Sequence, residues 1–379
     1  MVHKAAREGD GRPGAASDAG RLRRTGPVLA LAVAVGLAWG CGTITQRVIH
    51  HVRIDTDGLA RAVAVQDFYA YLADGDRGLK IINISNPSAL KQVGALDLPG
   101  FNTGVATSGD IALVTDSTQK CVYLINVSDK FHPVLKWTIP TLDKVVAVAL
   151  DKGTAFLAER GDNPSDPAYF SGLEAVACSL TTAPAQLGQM TIKDVRDVAF
   201  NSGQVFVLGA QSLTVLTRSA SGFKSPALGK LAFSSAEDLQ SLDSRAGTHI
   251  LVLGQALYLV DVTKPSQPAV ADQTAVPGSM SRRVVSSTGL LTTAASGNPP
   301  PAEFVRFAYS TLQEYGFGVV ELKSNKIILV LPAVNVDQLS EGHLKLYDID
   351  MRLDFNKLFA GGDVIAVGAL DNYGLGAAY

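Results

Sequence analysis

Carboxylates gathered in short polar turns are the residues of this chain best suited to chemistry. "DGDRG" holds Asp74, Asp76 and Arg77, and "DSTQK" opens with Asp116. "ERGDNPSDPAYFSG" holds Glu159, Arg160, Asp162 and Asp166, and "LDNYG" holds Asp371 and Tyr373. Clustered oxygen ligands are what Ca²⁺ takes, so Asp74, Asp76, Asp162 and Asp166 form a weak candidate set for that ion. Asp-Gly and Asp-Asn are also what tight turns prefer. No loop has the D-x-D-x-D-G-x5-E spacing of an EF-hand. The turn is therefore the favoured reading, and neither a metal nor a cofactor is expected.

Other catalytic patterns are missing. The six histidines include a His50-His51 pair whose side chains point to opposite faces of a strand, which is poor chelating geometry. No H-E-x-x-H, C-x-x-C or C-x-x-C-H occurs, nor a G-x-S-x-G nucleophile turn. No residue is assigned a catalytic role, and a binding module is favoured over an enzyme.

Composition bounds the class. With 379 residues and 47% hydrophobic side chains, the chain can bury a large core. From Cys41 onward it carries 27 basic and 32 acidic residues. A mildly acidic body lacks the basic footprint that phosphate contacts need, which argues against nucleic acid as a partner. Residues 1–40 read differently. Arg21, Arg23 and Arg24 precede the short apolar run "PVLALAVAVGLAWG", and Cys41 follows at once. A positive region, a short apolar region and small residues describe an export signal. The cysteine placement resembles a bacterial lipoprotein signal, with Cys41 as the lipid attachment site and 41–45 as a short tether. The expected location is the cell envelope, at the outer membrane or surface of a bacterium. Cys121 and Cys178 are expected to be buried free thiols.

The elements that would position the acidic turns come from a repeat. "GLKIINISNP", "CVYLINVSDKFHP", "GLEAVACSLTTAP", "SLTVLTRSASGFKSP", "ALYLVDVTKP", "GFGVVELKS" and "GLGAAY" begin at 78, 121, 172, 212, 256, 316 and 374. Steps of 40 to 60 residues fit a base unit near 43 with insertions. In the first unit, Ala60–Gln66, Phe68–Asp74, "GLKIINIS" and Leu90–Leu98 read as four short strands. Unit two turns at Ser108-Gly109-Asp110, and unit six is expected to turn at Thr288-Gly289. The third strands are apolar on consecutive residues, so they are buried on both faces. Four-stranded antiparallel units covered on both faces and repeated at this period are blades of an all-β propeller. The count is seven blades, with six or eight also compatible, in one domain over 46–379. Unit seven stops within its third strand, so "QRVIHHVRI", Gln46–Ile54, is expected to supply the missing strand and close the ring.

"AYLADGDRGLKIINISNP", "CVYLINVSD" and "LYLVDVTKPSQP" resemble the LVIVD-repeat family. The resemblance implies a propeller of exported and surface proteins, and it brings no catalytic motif. On a propeller the connections between second and third strands stand at the channel mouth. The acidic turns are therefore expected to form a binding rim there. The insertion "GNPPPAEFVRFAYSTLQEYG", Gly297 to Gly316, is expected either to add Arg306, Tyr309 and Tyr315 as loop anchors or to form a short helix or extended hairpin packed on its own blade. The function expected is a lipid-anchored binding or scaffold module for a protein or cell-surface polymer. The alternative is a metal-dependent hydrolase or lactonase that uses the rim carboxylates.

Overall fold

The computed structural model describes residues 51–86, 89–201, 203–220, 222–234, 239–244 and 248–275, and the backbone of strands between 281 and 378. Cys41, the leader, the tether, residues 46–50, Tyr315, Asp371 and Tyr373 lie outside the described residues.

All regular structure among the described residues is β. Strand β1 is His51–Ile54. Sheet one comprises β2 (Ala62–Gln66), β3 (Tyr69–Ala73), β4 (Leu79–Asn83) and β5 (Lys91–Leu96). Sheet two is β6 (Asn102–Ser108), β7 (Ile111–Asp116), β8 (Cys121–Asn126) and β9 (Val134–Pro140). Sheet three is β10 (Val145–Asp151), β11 (Thr154–Arg160), β12 (Ser171–Ala177) and β13 (Ala185–Thr191). Sheet four is β14 (Val195–Asn201), β15 (Gln204–Gly209), β16 (Ser212–Ser219) and β17 (Gly222–Ala232). Sheet five is β18 (Ser241–Asp243), β19 (His249–Leu253), β20 (Ala256–Asp261) and β21 (Ala269–Ala275). Then follow β22 (Ser281–Leu291), β23 (Glu303–Leu312), β24 (Gly316–Lys323) and β25 (Lys326–Val334), and finally β26 (Asp348–Leu353), β27 (Val364–Ala369) and β28 (Leu375–Ala378). Each sheet is an antiparallel meander, and β1 lies beside β28, with His51 opposite Ala378 and Ile54 opposite Leu375.

The alternation of side chains explains the stacking. In sheet one, Tyr71, Ala73, Leu79 and Ile81 pack with Val114, Tyr123 and Ile125 of sheet two. Ala70, Leu72 and Ile82 point to the opposite face. The same division joins sheet two to three through Leu124 and Leu157, three to four through Phe156 and Val207, and four to five through Val215 and Ile250. Middle strands are apolar on consecutive positions because both faces are covered. The outer strands, such as β9 and β21, are largely exposed. Turn chemistry follows the twist of the strands. Lys152 and Gly153 both take positive φ (46° and 78°) between β10 and β11, as a two-residue type I′ hairpin requires.

Unit six departs from its expected form. Ser281–Leu291 is one strand that runs through Thr288-Gly289, with Thr288 opposite Arg306 and Gly289 opposite Val305. The expected loop anchors Arg306 and Tyr309 stand within β23, which pairs with strands on both sides. The physical reason lies in their type: "EFVRFAYSTL" is rich in aromatic and β-branched residues, which suit a pleated strand. A lone glycine inside a strand weakens it without ending it.

Candidate functional site

The end of the second strand in sheets one to three carries an acid, Asp74, Asp116 or Glu159. All three are buried, so none presents its carboxylate at an open rim. Each is held by the segment that leads into the first strand of its own sheet. Thr56 Oγ1 donates to Asp74 at 2.8 Å. The Phe101 N–H donates to Asp116 at 3.3 Å, and the Asp143 N–H donates to Glu159 at 2.7 Å. An acid at this place ties two chain segments across the sheet end, which explains its burial.

A second partner comes from the third strand. Lys80, Tyr123 and Glu174 stand opposite Leu72, Val114 and Leu157, two residues before each acid. Tyr123 Oη donates to Asp116 Oδ2 at 3.0 Å. Lys80, itself buried, lies near Asp74 and pairs with Asp57 at 2.8 Å. Glu174 faces Glu159, a like charge. Sequence reasoning missed these residues. The visible signal was one polar or charged residue at the same place in three apolar strands, "GLK", "CVY" and "GLE".

The donor sets decide the electrostatics. Burial raises the proton affinity of Asp116, but Thr118 Oγ1, the N–H groups of Thr118 and Gln119, and Tyr123 together outweigh it. Its carboxyl titrates below the ordinary value. Asp74 has fewer donors, so burial prevails and its carboxyl is pushed up. Burial and the Glu174 carboxyl beside it push Glu159 up to about 9. Asp143, a second missed acid, is buried and accepts from Lys120 Nζ at 2.9 Å, the Lys144 N–H and the Phe170 N–H. Burial opposes its ionised form, but these donors hold it below the usual range.

The remaining acidic candidates do reach water. Asp76 and Arg77 are exposed and lie 4.0 Å apart. Asp162 is 74% exposed and pairs with Lys144. Both Asp162 and Asp166 belong to the connection between β11 and β12, which is far longer than its counterparts in sheets one, two, four and five. That loop is ordered by its own bonds. Asn163 Oδ1 accepts the Ser165 N–H, Asp166 Oδ1 accepts the Ala168 N–H, and Gly161 N–H donates to Phe170 O. Arg160, half-buried, stands at the loop's start as the last residue of β11.

Among the described residues no three His, Cys, Asp or Glu side chains converge as a metal set. Asp74 is therefore not gathered with Asp162 and Asp166. Cys121 and Cys178 are buried free thiols in separate cores. Among the described residues no helix is long and apolar enough to cross a membrane.

Comparison with known proteins agrees with this architecture. Residues 57–97 match the family model of the LVIVD repeat, which spans sheet one and the segment before it. The WD40 β-propeller domain of Doa1 superimposes with a TM-score of 0.54 at 11% identity, over 86% of this chain and 96% of that one. No curated protein matches the chain. At that identity the likeness concerns the fold. The chain is thus an all-β propeller that carries the LVIVD repeat.

Proposed function

We propose that this chain is a lipid-anchored propeller of the bacterial envelope that binds a protein or a cell-surface polymer through the end of the sheets bearing the second-to-third strand connections. The carrying observation is the loop between β11 and β12: long, exposed, internally hydrogen-bonded and charged. A pre-ordered loop on a rigid scaffold loses little entropy on binding. The anchor is supported by the arginine-flanked apolar leader and Cys41. The seven four-stranded sheets and the β1–β28 pairing support a ring of seven blades closed by the N-terminal strand.

The test is affinity capture from envelope extracts with the double variant Asp162→Ala, Asp166→Ala. The expected result is loss of captured partners at an unchanged melting temperature. Unchanged capture would remove this loop from the binding face. For the anchor, Cys41→Ser is expected to move the protein from the membrane fraction to the soluble fraction.

A further inference from the structure

Among the three described pairs of this repeated arrangement, Glu159 and Glu174 are the one in which both members are acids. Both are buried. They sit on the same face of neighbouring strands, since Leu157 opposes Glu174 and Glu159 opposes Gly172. That face, which also carries Leu157, packs on sheet two, where Leu124 and Ile139 are apolar. Nearby cations are committed elsewhere: Lys120 pairs with Asp143, and Lys144 with Asp162. On β13 the facing polar group is neutral, as Gln186 Nε2 donates to Glu174 Oε1 at 2.7 Å. Glu159 Oε2 takes the Asp143 N–H, which leaves Glu159 Oε1 and Glu174 Oε2 without a donor. Two buried carboxylates side by side cannot both ionise at low cost, and one shared proton supplies the missing donor.

We propose that the Glu159–Glu174 pair is a proton-operated clasp at the base of the β11–β12 loop. With one proton held between the carboxyls, Glu159 keeps its bond to the Asp143 N–H. Asp143 in turn accepts the Phe170 N–H at the far end of the loop. Loss of the proton places two negative charges in an apolar joint, and the cheapest relief is for Glu159 to leave Asp143 and turn toward water. The loop base then loosens. The device is independent of what the loop binds, and its test needs no partner.

The sign follows from linkage. Glu159 holds a proton in the folded protein above its ordinary value of 4.5, where the unfolded chain has released it. The pair's contribution to stability is therefore greatest in acid and falls as pH rises from there toward about 9. One proton gives up to about a tenfold change in the unfolding constant per pH unit. Glu159→Gln keeps an acceptor for Asp143 and gives Glu174 a donor, which imitates the protonated pair. The experiment follows amide exchange protection of Asp143 and Phe170, and the melting temperature, from pH 5 to pH 9.5. The wild type is expected to lose protection at both amides as pH rises. Glu159→Gln and, separately, Glu174→Gln are expected to keep it and to melt higher at alkaline pH. A carboxylic-acid carbonyl band in the infrared at pH 7, absent from Glu159→Gln, is the accompanying signature. Parallel protection in wild type and both variants, or no such band, would overturn the clasp.

Discussion

Tyr123 donates its hydroxyl to the Asp116 carboxylate at 3.0 Å, across neighbouring strands and inside the protein. Asp74 with Lys80 and Glu159 with Glu174 occupy the same two places in the adjacent sheets. One backbone geometry therefore carries three different charge states: acid with base, acid with phenol, and acid with acid. Their responses to substitution should differ accordingly.

Asp116→Asn removes the charge on which several donors converge and turns one of the two accepting oxygens into a donor. It should cost roughly 2 kcal/mol near neutral pH, since hydrogen bonds to a charged group are the stronger kind. Because the folded carboxyl titrates below 3.8, its contribution is present above that value and is lost as pH falls through the folded pKa. Urea titrations at several pH values should show the gap between wild type and variant closing in acid.

Gly100 sits at φ 78°, and a Cβ there would stand 1.8 Å from Asp116 Oδ2. Gly100→Ala should therefore cost about 2 kcal/mol or more through strain and a displaced carboxylate. Gly109 has φ 60° with open space around it, so Gly109→Ala should cost only about 1 kcal/mol. Chemical denaturation of the two variants side by side tests the difference.

Lys80 is buried, whereas its partner Asp57 is 67% exposed. Asp57→Ala leaves an ammonium in the interior without its carboxylate, whereas Lys80→Met removes the buried charge and keeps the stem. The first should destabilise by about 3 kcal/mol and the second by much less. If the melting temperatures fall equally, the buried charge is not the source of the cost.

The Asp76–Arg77 contact is exposed on both sides. Asp76→Ala should leave stability within about 0.5 kcal/mol of wild type, as exposed pairs do. A larger change in the thermal midpoint would mean that the turn depends on this side chain.

Removing residues 46–54 tests the proposed closure. β28 would lose its outer neighbour and expose a free edge. The shortened protein should elute as higher oligomers in size-exclusion chromatography, while the intact chain remains monodisperse.

Strand positions were legible because burial on both faces leaves a local mark. "LKIIN", "CVYLIN" and "LYLVD" are mostly apolar runs, and the structure places a third strand at each. In unit six "EFVRFAYSTL" satisfies two rules at once: its aromatic residues suit a strand, and aromatic residues with arginine also anchor binding surfaces. Local composition could not choose between them, whereas pairing with β22 and β24 does.

The site divides along the same line. The sequence by itself determined that acids recur where the second strand ends, and that a repeat near 43 residues carries them. Only the tertiary structure decided that Asp74, Asp116 and Glu159 turn inward while Asp76 and Asp162 face water. Each inward acid takes donors from a segment about sixteen residues earlier and meets a third-strand residue across the sheet. A carboxylate's fate depends on what surrounds it in space, and those neighbours come together only when the strands pair.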